Sequence, residues 1–237
     1  MKISAVIPVY NEEDSIEPLV REMTALQEPF CPAQILFVDD GSTDNTWMHI
    51  GQCSKEHAVI TGLRHTVNRG QSAALLTGLR HATGDIIVTM DGDLQNHPKD
   101  IPELISQLEE VDCVCGFRAK RRDSLSRRWA SRLANTIRNW ATHDQVRDTG
   151  CSLKAFHRKC IHDLPPLNGM HRFMPAYFRL NGRTITEVPV SHRARRFGVS
   201  KYTNLKRLPV TVTDLFGFIW YRKRYLDNQK QEIIVTS

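Results

Sequence analysis

The sequence predicts an α/β fold, a mainly parallel, doubly wound sheet flanked by helices. Three observations carry that expectation. Short apolar runs alternate with helical patterns through the first half of the chain. The runs are continuous rather than alternating in polarity, as in strands buried on both faces. Polar, acid-rich stretches follow the runs at their carboxyl ends, where open sheets of this kind bind ligands.

The first run, 3–8 of MKISAVIPVYNEED, is broken at Pro8 and followed at once by Asn11 and acids, so it reads as a first strand and not a signal peptide. Further strands are expected at 35–38, 58–63, 86–90 and 111–116, with helices at about 16–27, 45–53, 72–81 and 101–108 between them. The strand ends carry PVYNEED, DDGSTDNT, DGDLQNHP and GFRAKRR, four polar clusters that point to one cleft.

The second half changes character. Basic residues crowd 118–132, and a helical pattern then sets Trp129, Leu133, Ile137 and Trp140 on one stripe with Arg128, Arg132 and Arg138 off it. Core packing and an interfacial role both remain open for that stripe. A second amphipathic segment starts near residue 205, places Leu208, Val212, Leu215, Phe216 and Ile219 on one face, and ends in WYRKRY. The simplest organisation is one domain over 1–204 and an amphipathic C-terminal helix and tail over 205–237.

The 237 residues, 41% hydrophobic, are enough to bury a real core. Thirty-two basic against 26 acidic residues leave a net charge of +6, compatible with nucleic acid, an anionic membrane or a phosphorylated substrate. Cys31, Cys53, Cys113, Cys115, Cys151 and Cys160 form no C-x-x-C pair and read as reduced, mostly buried thiols of a cytosolic protein. No window is apolar for long enough to span a bilayer.

Asp91-Gly92-Asp93 follows a buried strand. Two carboxylates there suit a divalent cation, although Asp-Gly is also a common turn. Asp39 also ends a strand, and reads either as a turn with a helix cap at Ser42, Thr43 or Asp44, or as an acceptor for a base or ribose. Asn68-Arg69-Gly70-Gln71 opens a helix whose N-terminus attracts anions, but taken alone an ordinary loop explains it better. No G-x-G-x-x-G follows the first strand and no P-loop occurs, which disfavours dinucleotide oxidoreductases and Walker-type ATPases. His171 and His192 read as structural or surface residues. RARRFGVSKY, 193–202, is either a solvated charge run or a loop that closes on phosphate around Gly198.

Taken together, VIPVYNEE, VDDGSTDNT, NRGQSAAL, MDGDLQ, GFR, DTGCSLKAF and EVPVSHRARRFGVSKY resemble, in order, the motifs of family 2 glycosyltransferases, and most closely the dolichol-phosphate mannose synthase and polyprenyl-phosphate glycosyltransferase branch. The resemblance extends to about Tyr202. It implies a Rossmann-like GT-A fold, a UDP- or GDP-sugar donor, a divalent cation (Mg²⁺ or Mn²⁺) and inversion at the anomeric carbon. By resemblance, Pro8, Tyr10 and Glu12 belong to the nucleotide-binding strand end, and Asp39 to the base or ribose contact. Asp91, Asp93 and Gln95 correspond to the metal and diphosphate site. Arg118, Arg132, Arg195 and Lys201 correspond to the groups that hold the donor diphosphate and the acceptor phosphate, and Asp148 to an acid before a small-residue turn. Asp93, Asp148, Arg118 and Arg132 are the expected catalytic set.

The branch implies an undecaprenyl or dolichyl phosphate acceptor. Such a phosphate is already ionised, so it needs positioning by arginines more than a general base. Members of the branch often add transmembrane helices. Here the segment with Phe216, Trp220, Tyr221 and RKR is expected to rest peripherally on the cytoplasmic face of a membrane, or to dock on a partner subunit or a second copy. A saccharide acceptor in cell-envelope glycan synthesis is the alternative, with Asp148 as base. A noncatalytic nucleotide-sugar or nucleic-acid module is the remote one. The basic residues lack the interleaved aromatics that nucleic acid would stack on, so no nucleic-acid partner is expected.

Overall fold

The computed structural model describes residues 1–119, 138–139, 142–194 and 204–226, with backbone only over 204–211. The stripe at Trp129, Leu133, Ile137 and Trp140, together with Arg128, Arg132, Arg195, Gly198, Lys201 and the Leu208 side chain, lies outside the described residues.

Strands β1 (Ile3–Val9), β2 (Gln34–Asp39), β3 (Ile60–Arg64), β4 (Ile86–Thr89) and β5 (Cys113–Arg118) form where the continuous apolar runs predict them. Two further strands, β6 (Lys154–His157) and β7 (Ile185–Val190), complete a seven-stranded sheet in the order β3-β2-β1-β4-β6-β5-β7. All neighbours are parallel except β6, which runs antiparallel to both β4 and β5. The chain winds outward from β1 to β3 and then crosses to β4 on the other side of β1. The gap between the ends of β1 and β4 is therefore the topological switch point, where open α/β sheets bind ligands.

Helices α1 (Glu13–Thr24), α2 (Thr46–Glu56) and α4 (Ile101–Ser106) cover one face of the sheet, and α3 (Gln71–His81), α5 (Met170–Leu180) and α6 (Asn204–Arg224) the other. Successive residues of β1 serve the two cores in turn. Ala5 and Ile7 pack with Ile16 and Leu104, whereas Val6 packs with Leu75 and Leu79. All six cysteines are free thiols, and all but Cys31 are buried.

Helix α6 divides the apolar face grouped in the sequence, since Leu215 packs on the core whereas Val212 and Phe216 do not. Phe218 is buried, stacked at 5.5 Å on Phe173 and edge-on at 5.2 Å to Tyr177, and Tyr221 also meets Tyr177 at 5.3 Å. Val212, Phe216 and Trp220, spaced by four, point to solvent. Tyr221 therefore belongs to the packed face and not to the outward one. The aromatic surface of α5 selects the face, because offset and edge-on ring pairs contribute beyond the area they bury.

Candidate active site

At the β1–β3 side, three loops interlock. Asn11 donates its backbone N–H to Ser42 Oγ (2.9 Å), and its Oδ1 accepts from Thr43 N (2.8 Å). Glu12 N donates to Thr46 Oγ1 at 2.9 Å. Pro8, opposite Val38 in the β1–β2 register, and Tyr10 and Glu12 just beyond are half-buried along this edge. Asp39 is fully buried: Oδ1 accepts from Ser42 N at 2.9 Å, while Arg64 Nε lies 3.0 Å from Oδ2 but out of hydrogen-bonding line. The turn expected at Asp39 is thus present.

Its neighbour Asp40 does what the sequence did not reveal. Oδ1 accepts from Arg69 N (2.9 Å) and meets His65 Nδ1 (2.7 Å), and Oδ2 accepts from Gly70 N (2.7 Å). His65 Nε2 in turn meets Thr77 Oγ1 at 2.9 Å. This acid–imidazole–hydroxyl line resembles a nucleophile triad, but here it clamps the Asn68–Gln71 segment to the β2 end. The only signal for it in the sequence was the doubled acid of DDGS.

That clamped segment reaches the second cluster. Gln71 Nε2 donates to Asp91 Oδ1 at 2.8 Å, so Gly70 and Gln71 bridge the β2 and β4 ends. Between the two acids, Gly92 is required by crowding, since a Cβ there would lie 2.4 Å from Val9 Cγ1. Removing that side chain lets the loop cross the end of β1 and keep both carboxylates at the switch point. Asp93 Oδ1 accepts from Gln95 N at 3.1 Å. Burial pushes the Asp91 carboxyl above its ordinary pKa and the charge of Asp93 adds to the rise, while Ser152, Lys154 and Arg118 pull it down.

The third cluster sits at the β5 end. Arg118 donates Nε to Asp148 Oδ2 (2.7 Å) and Nη2 to Oδ1 (2.8 Å), a two-bond fork. Burial draws the Arg118 pKa down, but the hydrogen bond to Asp148 together with the charges of Asp148, Cys151 and Asp91 outweighs this and leaves it raised. Asp148 opens the turn that leads into β6. Because β6 runs antiparallel, its start and not its end lies beside the ends of β4 and β5. Arg138 braces this turn from behind, donating to Thr149 Oγ1 and the Val146 carbonyl.

The exit of β7 closes the edge. Arg193 N donates to the Gln95 carbonyl (2.9 Å) and Arg193 Nη2 to the Asn96 carbonyl (2.9 Å), while the same guanidinium grips Glu22 at 2.7 and 2.8 Å. Arg193, the first residue of the basic RARRFGVSKY stretch, is therefore tied to the loop that carries Asp91 and Asp93. The structure brings Asp91, Asp93, Gln95, Arg118 and Asp148 together, and Asp40, the neighbour of Asp39, is linked to them through the Asn68–Gln71 bridge. Arg132, Arg195 and Lys201 lie outside the described residues. Sequence reasoning missed Asp40, His65, Ser152 and Lys154, none of which carries a spacing signal of its own.

Residues 4–164 match the family model described as Glycosyl transferase family 2. The chain belongs to that family. Among curated members, undecaprenyl-phosphate 4-deoxy-4-formamido-L-arabinose transferases of Salmonella paratyphi A and Salmonella dublin are each 38% identical over 208 residues, 86% of this chain and 64% of theirs. This family 2 chain thus spans a little under two thirds of the length of those relatives. Glucosyl-3-phosphoglycerate synthase from Mycobacterium tuberculosis, solved with Mn²⁺, UDP-glucose and phosphoglyceric acid, superposes with a TM-score of 0.72 at 23% identity, covering 96% of this chain and 81% of that one. A mannosyltransferase from Pyrobaculum calidifontis, solved with GDP-mannose and Mn²⁺, gives 0.61 at 21% identity over 79% of this chain and 55% of that one. These likenesses show the fold, the Rossmann-like GT-A arrangement that the motifs imply.

Proposed function

We propose that this chain is an inverting glycosyltransferase that moves a sugar from a UDP- or GDP-sugar to a polyprenyl phosphate. The observation that carries the reading is the Asp91–Asp93 pair at the β1–β4 switch point, set beside the Arg118–Asp148 fork. The 38% identity to transferases named for undecaprenyl phosphate supports the acceptor.

The donor set fits Mg²⁺ or Mn²⁺. Among the described residues no three His, Cys, Asp or Glu side chains gather to hold an ion alone. Two carboxylates so close that the charge of Asp93 helps to raise the Asp91 pKa suit a cation whose remaining ligands are water and substrate phosphate oxygens. Asp91 and Asp93 would hold it, with Gln95 adjoining. When bound, it would neutralise the diphosphate of the departing nucleotide.

This chain's own residues would do the rest. The edge formed by Pro8, Tyr10, Glu12 and Asp39 would seat the nucleoside, with Arg64 shifting away to expose Asp39 Oδ2. Arg118 spends Nε and Nη2 on Asp148, so its Nη1 edge would meet a phosphate. Arg132, Arg195 and Lys201 would complete the anion cradle. The acceptor phosphate is already an anion, so Asp148 would act by orienting Arg118 and not as a base.

Attachment to the membrane would be peripheral and on its cytoplasmic face. Among the described residues no helix is long and apolar enough to cross a bilayer. Helix α6 instead exposes Val212, Phe216 and Trp220 and ends in Arg222, Lys223 and Arg224, with Arg224 4.8 Å over the Trp220 ring. An aromatic stripe with a basic terminus matches an anionic headgroup layer.

The test is transfer of radiolabel from a panel of UDP- and GDP-sugars to undecaprenyl phosphate, with and without Mn²⁺ or Mg²⁺, and with Asp93→Ala as control. Metal-dependent label in the lipid phase, abolished by the substitution, is expected. Donor hydrolysis without lipid product would move the acceptor to a saccharide, and no turnover of any donor would overturn the reading.

A further inference from the structure

The candidate cation pair and the Arg118–Asp148 fork stand on different strands, yet the turn 148–152 touches both. Its last residue, Ser152, is held on both sides. Ser152 Oγ accepts from Asp91 N at 3.1 Å and from Asn96 Nδ2 at 2.7 Å. A hydroxyl oxygen has two acceptor sites, and both are used.

The Ser152 backbone is equally fixed. Its carbonyl accepts from Thr89 Oγ1 at 2.9 Å, and the following Leu153 carbonyl accepts from Gly116 N at 2.9 Å. Lys154 Nζ donates to the Cys151 carbonyl, and Lys154 is paired with Thr89 and Cys115 across both neighbouring strands. By contrast, Asp91 and Asp93 lie past the end of β4, in no regular structure of their own.

We propose that Ser152 is a positioning residue for the cation site, locking the Asp91 backbone to Asn96 so that Asp91 and Asp93 present their oxygens in one fixed arrangement. Asn96 extends the lock, because its carbonyl is held by Arg193 at the root of the basic segment. The inference rests on the reading that the acidic pair takes a divalent cation. Partners that orient metal ligands in this way typically carry about 10- to 100-fold in metal affinity.

The experiment is Mn²⁺ binding to the full chain in the presence of UDP or GDP, followed through the loss of the free-ion electron paramagnetic resonance signal and independent of turnover. Ser152→Ala should weaken Mn²⁺ about tenfold with little change in thermal midpoint, and Ser152→Thr, which keeps the hydroxyl, should restore it. Equal Mn²⁺ affinity in Ser152→Ala and the unsubstituted chain would overturn the proposal, as would equal losses in the alanine and threonine variants. Should the alanine variant not fold, Ser152→Cys keeps the volume with only a weak hydrogen-bonding group and is judged by the same criterion. Mn²⁺ binding by the unsubstituted chain shows whether the cation reading itself stands. Its absence with both nucleotides would remove that reading and this inference together.

Discussion

Arg118 and Asp148 form a two-bond fork, with Nε and Nη2 of one side chain meeting both carboxylate oxygens of the other at 2.7 and 2.8 Å. The pair joins the end of β5 to the turn before β6, two segments 30 residues apart in the chain. If Asp148 orients Arg118, the two act as a unit. Arg118→Lys keeps the charge but loses the fork, and Asp148→Asn keeps the shape but loses the charge. Each should lower kcat on the order of 100-fold, the cost of misplacing a group by about 1 Å. The double variant should be little worse than either single one. Additive losses in steady-state kinetics would argue for separate roles, with Asp148 as a base.

The raised pKa of Asp91 has a sign that stability measurements can read. A carboxyl whose folded pKa lies above its unfolded value destabilises the fold once it ionises, so the cost is absent at low pH and present above the folded pKa. Asp91→Asn should therefore raise the thermal midpoint of the metal-free protein near neutral pH. Adding Mn²⁺ should raise the midpoint of the unsubstituted chain and leave that variant unmoved. Calorimetry at neutral pH, with and without the ion, checks both statements.

Gly92→Ala places a methyl 2.4 Å from Val9 Cγ1. The expected destabilisation is about 1–3 kcal/mol, as for other overpacked sites, together with weaker donor binding because the acids on either side are displaced. Adding Val9→Ala makes room and should recover part of both losses. Urea denaturation of the single and double variants decides this.

Two aromatic residues on helix α6 should behave in opposite ways. Phe218 is 1% exposed and lies between Phe173 and Tyr177, so Phe218→Ala should cost about 3–5 kcal/mol. Trp220 is 58% exposed, so Trp220→Ala should leave the unfolding transition in place. Combined with Phe216→Ala, it should abolish sedimentation with anionic vesicles at moderate salt. Vesicle binding that survives the double substitution would move the contact elsewhere.

Much of the fold was legible because burial on both faces leaves a plain trace. Strands β1 to β5 are continuous apolar runs, and the helices between them show helical periodicity. β6 and β7 left no such trace. β6 has four residues and buries Lys154, whose charge breaks the apolar pattern, and β7 carries Glu187 and Pro189. Helix α5 contains Pro175 and starts from Gly169 in the left-handed region, two features that read as loop signals. At the site, residues that end a strand in acid or arginine were legible, and residues that hold them were not. Asp40 and Ser152 act through partners 29 and 61 positions away, and no spacing rule spans such distances.

The chemical inventory was thus determined locally: paired acids after β4, an arginine ending β5, an acid ending β2, and apolar strands to carry them. Adjacent residues on one strand end travel together whatever the rest of the chain does. Which groups meet was decided by tertiary structure alone. The antiparallel insertion of β6 brings the Asp148–Ser152 turn to the site edge, binding Arg118 at one end and Asp91 at the other. The face of α6 that docks was settled by the rings already standing on α5. Strand order and helix packing depend on the free energy of the whole core, which no single stretch of sequence contains.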